Sequence, residues 1–320
     1  MNLFYFNVNK VCNSNCCFCA ANYEDLYLNE KGNPYISIDK FKEIAIKMDI
    51  SKNDKVIING GEPTLNPHLI DILEFCDINE FKTILFTNGR KLSDNTFVNE
   101  IVKKNPSKIT IPLYGHNAEL HNSLTRNNDS FNETVKALKN LSELHKNNQF
   151  IFEIKILICR SNYRFITDIA KYLIDNFKFD ILMISGLIPS DVALKNNQIV
   201  DKESHKEAIN SFLNYFWKCN CKLQLTLDGI PLCHIDNNNL VMYLINRKSL
   251  SDFEIEKPNK NYSFDIENLN DSNILSDNTS SLEIEMWDKP QCHKEECKYK
   301  YICRLNTLIN HNDFLREWIS

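Results

Sequence analysis

Apolar residues recur along the first two-thirds of the chain with two alternating spacings. Short runs rich in Ile, Val, Leu and Phe predict buried β-strands at Leu3–Val8, Lys55–Ile58, Thr83–Phe86, Lys108–Leu113, Phe150–Ile158 and Asp180–Ile184. Between them, helical spacing predicts helices at Ile38–Met48, Leu69–Phe75, Asn95–Lys103, Glu133–Lys146, Phe165–Phe177 and Lys202–Trp217. The repeated β–α order predicts a parallel sheet with right-handed crossovers. Six such units predict an α/β fold, a partial (β/α)6 barrel of the triosephosphate isomerase type, with reactive groups at the carboxyl ends of its strands.

This alternation stops after about residue 217. Lys222–Leu227 is a possible further strand, and residues 249–283, which are dominated by Asn, Ser, Asp and Lys, predict long loops. The last thirty or so residues hold three cysteines and end in a possible short helix near Leu305–Trp318. We therefore predict two domains, a barrel over residues 1–217 and a small cysteine-rich domain over residues 218–320 that metal–cysteine bonds would stabilise.

Charge and hydropathy narrow the classes of partner. The 320 residues carry 37 basic and 42 acidic side chains, a formal net charge of −5. This charge argues against nonspecific binding of nucleic acid, which needs a basic surface. No secretory signal is evident, and no apolar run approaches the roughly 18–20 residues of a membrane helix. We therefore expect a cytoplasmic protein that binds neither nucleic acid nor membrane.

Twelve cysteines are informative in such a protein, because cytosolic thiols stay reduced and clustered ones indicate metal or catalytic sites. Ten of them fall into three groups: Cys12, Cys16, Cys17 and Cys19; Cys219, Cys221 and Cys233; and Cys292, Cys297 and Cys303. Cys76 and Cys159 stand alone in apolar segments, where we interpret them as small buried hydrophobic residues.

The first group follows the first predicted strand. Thiolates at the spacing of Cys12, Cys16 and Cys19 can bind three irons of a cubic iron–sulfur cluster and leave the fourth iron without a protein ligand. An open coordination position is typical of reactive metal sites. A zinc site is an alternative, although the nearest histidine is His68, and inert buried cysteines are another, although the loop is rich in Asn and Ser.

Two motifs together carry a family resemblance. A first strand followed by C-x3-C-x-aromatic-C, and a second strand followed by Gly60-Gly61-Glu62-Pro63, resemble the radical S-adenosylmethionine (radical SAM) superfamily. The resemblance implies that Cys12, Cys16 and Cys19 bind a [4Fe–4S] cluster whose free iron is chelated by the methionyl group of S-adenosylmethionine. It further implies cofactor contacts from Phe18, near the adenine, and from Gly60, Gly61 and Glu62, near the methionyl amine. Cys17 is extra to the pattern and is predicted not to be a ligand.

Further cofactor contacts are expected from the ends of later strands, at Thr87, Asn88, Arg160 and Asn162. Pro112 stands where relatives often have a serine that contacts the ribose, so the ribose contact is unassigned. The chemistry implied by the resemblance is reductive cleavage of S-adenosylmethionine to a 5′-deoxyadenosyl radical, which abstracts hydrogen from a substrate C–H bond. Such an enzyme takes its electron from a flavodoxin- or ferredoxin-type donor.

The C-terminal cysteines resemble the SPASM or twitch extensions that follow many such barrels. On that resemblance we predict four ligands of one auxiliary [4Fe–4S] cluster: Cys233, Cys292, Cys297 and Cys303. Zinc bound by the same cysteines, or with His293, is the alternative. Cys219 or Cys221 could add a ligand or, as a free thiol near the top of the barrel, donate hydrogen to a substrate radical.

The sequence gives less information about the substrate than about the cofactor. Relatives with such extensions often modify ribosomal peptides by crosslinking, epimerisation or oxidation, and we expect a peptide substrate. The first predicted strand begins at Leu3, so we expect no N-terminal leader-binding module, and a small metabolite is the alternative. A polar segment that includes His116, Glu119, His121 and Arg126 could contact substrate or form a solvated loop. A non-catalytic iron–sulfur carrier and a zinc protein remain as competing classes.

Overall fold

The computed structural model describes residues 2–20, 34–147, 149–219, 221–248 and 261–264. Within these ranges, eight parallel strands form one sheet in the order β7-β6-β5-β4-β3-β2-β1-β8. The strands are β1 Leu3–Asn7, β2 Lys55–Asn59, β3 Lys82–Phe86, β4 Lys108–Pro112, β5 Ile151–Leu157, β6 Ile181–Ser185, β7 Gln224–Asp228 and β8 Asn261–Phe264. Because consecutive strands from β1 to β7 are neighbours, the predicted partial barrel of the triosephosphate isomerase type is confirmed.

Helices connect the strands as the sequence pattern requires. They are α1 Ile38–Lys47, α2 Leu69–Ile78, α3 Asn95–Val102, α4 Ala118–Thr125, α5 Ser130–Leu144, α6 Ile166–Asn176, α7 Asp191–Lys195, α8 Lys202–Lys218 and α9 Asn237–Lys248. Several begin at a residue whose side chain accepts a backbone N–H: Ser37 caps α1, Asp94 caps α3 and Asp201 caps α8. Each such cap contributes about 1 kcal/mol to helix stability.

The two faces of the sheet differ in chemistry. Phe4, Phe6, Val56 and Ile58 are fully buried in the main apolar core, as expected of strands covered by helices. The opposite, inner face is polar in its middle: the Lys108 ammonium lies 3.2 Å from a carboxylate oxygen of Glu153, whose other oxygen accepts a 2.8 Å bond from the Thr110 hydroxyl. The positive charge of Lys108 and the negative charge of Glu153 therefore compensate each other in the buried middle of the inner face.

Curvature brings distant strands together across this inner face. Burial raises the pKa of Tyr5 on β1 to about 12, and the charge of Asp228 on β7 adds to the increase while that of Lys108 on β4 opposes it. Five strands separate β1 from β7 in the sheet order, so a flat sheet would hold these groups far apart. The charges of Asp228 and Lys108 therefore act on Tyr5 across the interior, as expected of a sheet that curves into an open barrel.

Two expectations about the helices and strands of the barrel were wrong. The segment around His121 is helix α4 and not a solvated loop, because Asn117 caps it by accepting a hydrogen bond from the backbone of Leu120 and His121 is buried. The β–α alternation also continues past residue 217, since β7 joins the same sheet and α9 follows it. The domain division at residues 217–218 stays a prediction.

No helix in the described part of the chain is both long enough and apolar enough to cross a membrane. Cys292, His293, Cys297 and Cys303 lie outside the described residues.

Candidate active site

The loop after β1 carries the first cysteine group at the carboxyl edge of the sheet. It is anchored along its length by backbone bonds: the Asn15 N–H donates to the Thr125 carbonyl over 3.1 Å, and the Cys17 N–H donates to the Leu124 carbonyl over 3.0 Å. At its far end, the Ser190 hydroxyl donates to the Cys19 carbonyl over 2.9 Å. The loop is therefore fixed by α4 on one side and by the segment after β6 on the other.

The three predicted ligand thiols lie within electrostatic range of one another. Burial is the largest cause that raises the pKa of Cys12, to about 11, and the pKa of Cys16; the charge of Cys19 adds to both. Among the described residues, no group of three or more His, Cys, Asp or Glu side chains has single-ion geometry. A cubic cluster does not need that geometry, because each thiolate binds a separate iron. The donor set thus fits an iron–sulfur cluster, and assembly would have to release the thiol protons.

The Gly-Gly-Glu turn after β2 packs directly against the stem of this loop. The N–H groups of Gly61 and Glu62 donate to the carbonyls of Asn9 and Val11 over 2.9 and 2.8 Å. A Cβ at Gly61 would lie 2.2 Å from the Val11 carbonyl oxygen, and one at Gly60, whose φ is +143°, would lie 2.6 Å from that of Asn9. No side chain fits at either position, so the glycines are required by the close approach of two backbones.

Glu62 is buried and its carboxylate is surrounded by protein donors. Oε1 accepts the hydroxyls of Thr64 and Thr87 at 2.6 and 2.5 Å, and Oε2 accepts the Asn88 N–H at 2.7 Å. Burial raises its pKa against the opposing effect of these bonds. In this structure, Glu62 therefore joins the turn after β2 to the turn after β3, an organising role that the sequence did not reveal.

The turn after β3 reaches back to the cysteine loop. The Asn88 side-chain amide donates to the Asn13 side-chain oxygen over 2.7 Å, and the Arg90 guanidinium donates to the Asn13 carbonyl. Thr87, Asn88, Glu62 and the cysteine loop thus form one connected network. Arg90 was missed at the sequence level, where a basic residue after a Thr-Asn-Gly turn carries no distinctive signal.

Aromatic rings cover the other side of the cysteines. Phe18 is buried and its ring centroid lies 4.8 Å from that of Tyr114, which stacks on His121 at 5.5 Å. Burial raises the pKa of Tyr114, and the charges of Cys16, Cys19 and Cys12 add to the increase. The Tyr114 phenol therefore lies near all three predicted ligand thiols. Burial, followed by the charge of Arg90, lowers the pKa of His121 to about 4.

The two remaining residues predicted to contact the cofactor, Asn162 and Arg160, lie in different environments. Asn162 is buried, and its amide holds three backbone groups, accepting from Cys159 at 2.8 Å and donating to Tyr114 and Leu157 at 3.1 and 2.8 Å. Arg160 is exposed and donates to Asn197 over 3.0 Å. Their predicted cofactor contacts stay predictions.

The second cysteine group divides between the two edges of the sheet. Cys233 is exposed in the short turn Leu232–His234 after β7, on the same edge as the first cysteine loop. Cys219 and Cys221 precede β7 and therefore lie at its amino end, with the Cys219 thiol donating to the Phe216 carbonyl over 3.0 Å. The expectation of a thiol near the top of the barrel was wrong, because a segment leading into a parallel strand lies at the opposite edge.

Residues 6–159 match the family model of the radical SAM superfamily. These residues therefore form a domain of this superfamily, whose members are enzymes. Among curated proteins it is 27% identical over 93 residues to an S-adenosylmethionine-dependent nucleotide dehydratase of Flammeovirga pacifica, covering 29% of this chain and 32% of the relative. It is 29% identical over 143 residues to the antilisterial bacteriocin subtilosin biosynthesis protein AlbA of Bacillus subtilis, covering 43% and 30%.

Solved structures show the same fold. Streptococcus suis SuiB bound to the precursor peptide SuiA superposes with a TM-score of 0.57 at 17% identity, covering 70% of this chain and 48% of SuiB. SuiB has also been solved with S-adenosylmethionine bound. The chain spans about a third of these curated relatives and about half of SuiB.

Proposed function

We propose that this chain is a radical SAM enzyme in which Cys12, Cys16 and Cys19 bind a [4Fe–4S] cluster, and which cleaves S-adenosylmethionine reductively to abstract hydrogen from a substrate C–H bond. The observation that carries the proposal is a set of three thiols within electrostatic range of one another on a loop held at both ends. That loop packs against a Gly-Gly-Glu turn that admits no side chain. When bound, the cluster and S-adenosylmethionine supply the electron and the radical precursor.

The chain's own residues prepare the site. Glu62, Thr87 and Asn88 fix the turns after β2 and β3 relative to Asn13, so the loop need not reorganise when ligands bind. Gly60 and Gly61 would present their backbone to the methionyl group, as would the Glu62 segment. Phe18, already packed on Tyr114, would meet the adenine. Enclosure by α4 and the segment after β6 would keep water from the reacting atoms.

The proposed substrate is a ribosomal peptide, modified by crosslinking, epimerisation or oxidation. SuiB, which shares the fold, binds a precursor peptide, and AlbA is named for bacteriocin biosynthesis. Across the barrel from the cysteine loop, β5, β6 and β7 present Lys155, Ser185 and Asp228, which we call the inner polar face. Asp228 accepts from the Ser185 hydroxyl at 3.3 Å and lies 3.8 Å from the Lys155 ammonium. Paired opposite charges there suit the donors and acceptors of a peptide backbone.

A small-metabolite substrate is the second candidate. It is favoured by the similarity of part of the chain to a nucleotide dehydratase. A neutral, paired inner polar face accommodates polar metabolites as well as peptides. The electron would come from a flavodoxin- or ferredoxin-type protein.

An auxiliary [4Fe–4S] cluster on Cys233, Cys292, Cys297 and Cys303 completes the proposal, with zinc as the alternative metal. The exposed position of Cys233 at the carboxyl edge, which is also the edge of the cysteine loop, supports this assignment. A C-terminal cluster domain after a barrel would follow from this assignment.

Anaerobic reconstitution tests the central assignment. Wild-type protein should bind iron and sulfide and form 5′-deoxyadenosine when dithionite and S-adenosylmethionine are present. Cys16→Ala should lose nucleoside formation and the iron of one cluster, whereas Cys17→Ala, the matched control in the same loop, should keep both. Iron without nucleoside cleavage in the wild type would favour a carrier, zinc without iron would favour a structural metal protein, and equal behaviour of the two variants would refute the ligand assignment.

A further inference from the structure

A buried arginine holds the cysteine loop from outside the recognised motifs. Arg90 begins a short 3-10 turn after β3 and is 9% exposed. Its Nη1 donates to the carbonyl of Asn13 and, at 3.4 Å, to the hydroxyl of Ser14. Both acceptors lie between Cys12 and Cys16, in the segment that sets the separation of these two thiols.

The counter-charge of this arginine comes from a different element. Arg90 Nε donates to a carboxylate oxygen of Glu133 in the first turn of α5, and Glu133 is 38% exposed. A buried guanidinium is costly unless its donors are paired, and its planar fork allows it to bind two partners at once. Arg90 thus bridges α5 and the cysteine loop, with a full positive charge fixed beside the predicted cluster.

The Arg90 charge reaches the surroundings of the cysteine loop. It is the second cause, after burial, of the lowered pKa of His121, whose ring stacks on Tyr114 beside the thiols. Lys91, the next residue, offers a contrast: it is exposed and its ammonium donates to the Thr64 carbonyl over 2.9 Å. Two adjacent basic residues therefore differ in burial and in the backbone they contact.

We propose that Arg90 is a positioning residue for the cysteine loop that also raises the reduction potential of the bound cluster, and that Glu133 lowers this potential by partly neutralising Arg90. The inference rests on the proposed function, since it presupposes a cluster on Cys12, Cys16 and Cys19. Reduction adds negative charge to the cluster, so a nearby fixed cation favours the reduced state and a nearby anion disfavours it. The two partners of one ion pair should thus act with opposite sign.

A purely structural role for the pair would produce a different pattern. Loss of either partner would then loosen the loop, and both variants would lose iron without a systematic change in potential. Opposite shifts from the two variants distinguish electrostatic tuning from loop support. Arg90→Lys separates the two parts of the role, because it keeps the charge but cannot reproduce the bridging fork.

The test is a redox titration of reconstituted full-length protein followed by electron paramagnetic resonance. The signal of the N-terminal cluster is identified by its loss in Cys16→Ala. We expect a lower midpoint potential and reduced iron content in Arg90→Gln, a near-normal potential with reduced iron content in Arg90→Lys, and a higher potential with normal iron content in Glu133→Gln. Lys91→Met is the control for removal of one basic charge and should leave the potential unchanged.

Unchanged potentials in Arg90→Gln and Glu133→Gln, or shifts of the same sign, would overturn the inference while the proposed function stands. If Arg90→Gln fails to assemble a cluster, Glu133→Gln alone decides the matter, because its upward shift is required. A wild-type protein that binds no cluster at Cys16 would instead refute the proposed function itself.

Discussion

Two regions of the barrel are built on different principles: the cysteine edge, which comprises the loop after β1 and the turns after β2 and β3, and the inner polar face. At the cysteine edge, backbone groups of the Gly-Gly-Glu turn bond the loop stem, and the buried Glu62 carboxylate is occupied by protein donors. On the inner polar face, Lys155 and Asp228 are 25% and 55% exposed and form a loose 3.8 Å pair. The first region is arranged before any ligand binds, whereas the second has charged groups free to exchange partners. Under the proposed function, the fixed region would hold the cofactor and the adaptable region the substrate, which suits an enzyme that uses constant chemistry on a variable substrate.

The largest effect should come from removing the central acceptor of the cysteine edge. Glu62→Ala leaves the Thr64 and Thr87 hydroxyls and the Asn88 N–H without their acceptor, and should lower the free energy of unfolding by roughly 3 kcal/mol. Chemical denaturation measures this loss. Glu62→Gln, which keeps one acceptor oxygen, should cost less, and equal costs would show that the network is not what Glu62 contributes.

A single added methyl group tests the close approach of the two backbones. Gly61→Ala places a carbon against the Val11 carbonyl, so we expect a loss of roughly 1–3 kcal/mol in unfolding free energy. The same variant should retain less iron after reconstitution because the loop stem must move. Normal stability with normal iron content would contradict the close approach of the two backbones.

Neutralising the inner polar face should leave stability and iron content nearly unchanged and should slow conversion of the substrate. Asp228→Asn and Lys155→Met should change unfolding free energy by less than about 1 kcal/mol, because the pair is long and partly exposed. Both should keep iron content and substrate-independent formation of 5′-deoxyadenosine while slowing conversion of the substrate, once identified. Loss of the cluster in either variant would mean that the two regions are not independent.

The smallest effect is expected at Arg160. Its side chain is exposed and bonded to Asn197, so Arg160→Ala should change stability by no more than about 0.5 kcal/mol. Equilibrium binding of S-adenosylmethionine to the reconstituted protein is the informative measurement. The exposed position of the guanidinium leads us to expect unchanged affinity, and a marked loss would support the cofactor contact predicted from the sequence.

The barrel could be predicted from sequence because its elements are strongly periodic. The strand predicted at Lys55–Ile58 is observed at Lys55–Asn59, and the helix predicted at Lys202–Trp217 is observed at Lys202–Lys218. Helix α4 escaped prediction because its eight residues include few apolar ones, although Asn117 was a readable cap. The strand β7 was recognised, but its membership of the same sheet was not, since strand pairing depends on contacts distant in sequence.

The cysteine loop and the Gly-Gly-Glu turn were found because their chemistry is concentrated in short motifs. The contacts that organise them were not, because the loop that carries Asn9 and Asn13 meets the turns that carry Glu62, Asn88 and Arg90 only in the fold. For the same reason, the sequence indicated a contact between Glu62 and the methionyl amine, which stays a prediction, but not the bonds by which the Glu62 carboxylate joins the turn after β2 to the turn after β3. Short motifs identified the residues of the site, whereas the hydrogen bonds that their side chains make follow from the fold.

Electron paramagnetic resonance of the reduced, reconstituted protein, recorded with and without S-adenosylmethionine, tests the central claim most directly. A [4Fe–4S] cluster with an iron open to the methionyl group should give a signal that changes on addition of S-adenosylmethionine and that disappears in Cys16→Ala. A signal that S-adenosylmethionine leaves unaltered, or one that persists unchanged without Cys16, would contradict an open iron at this loop.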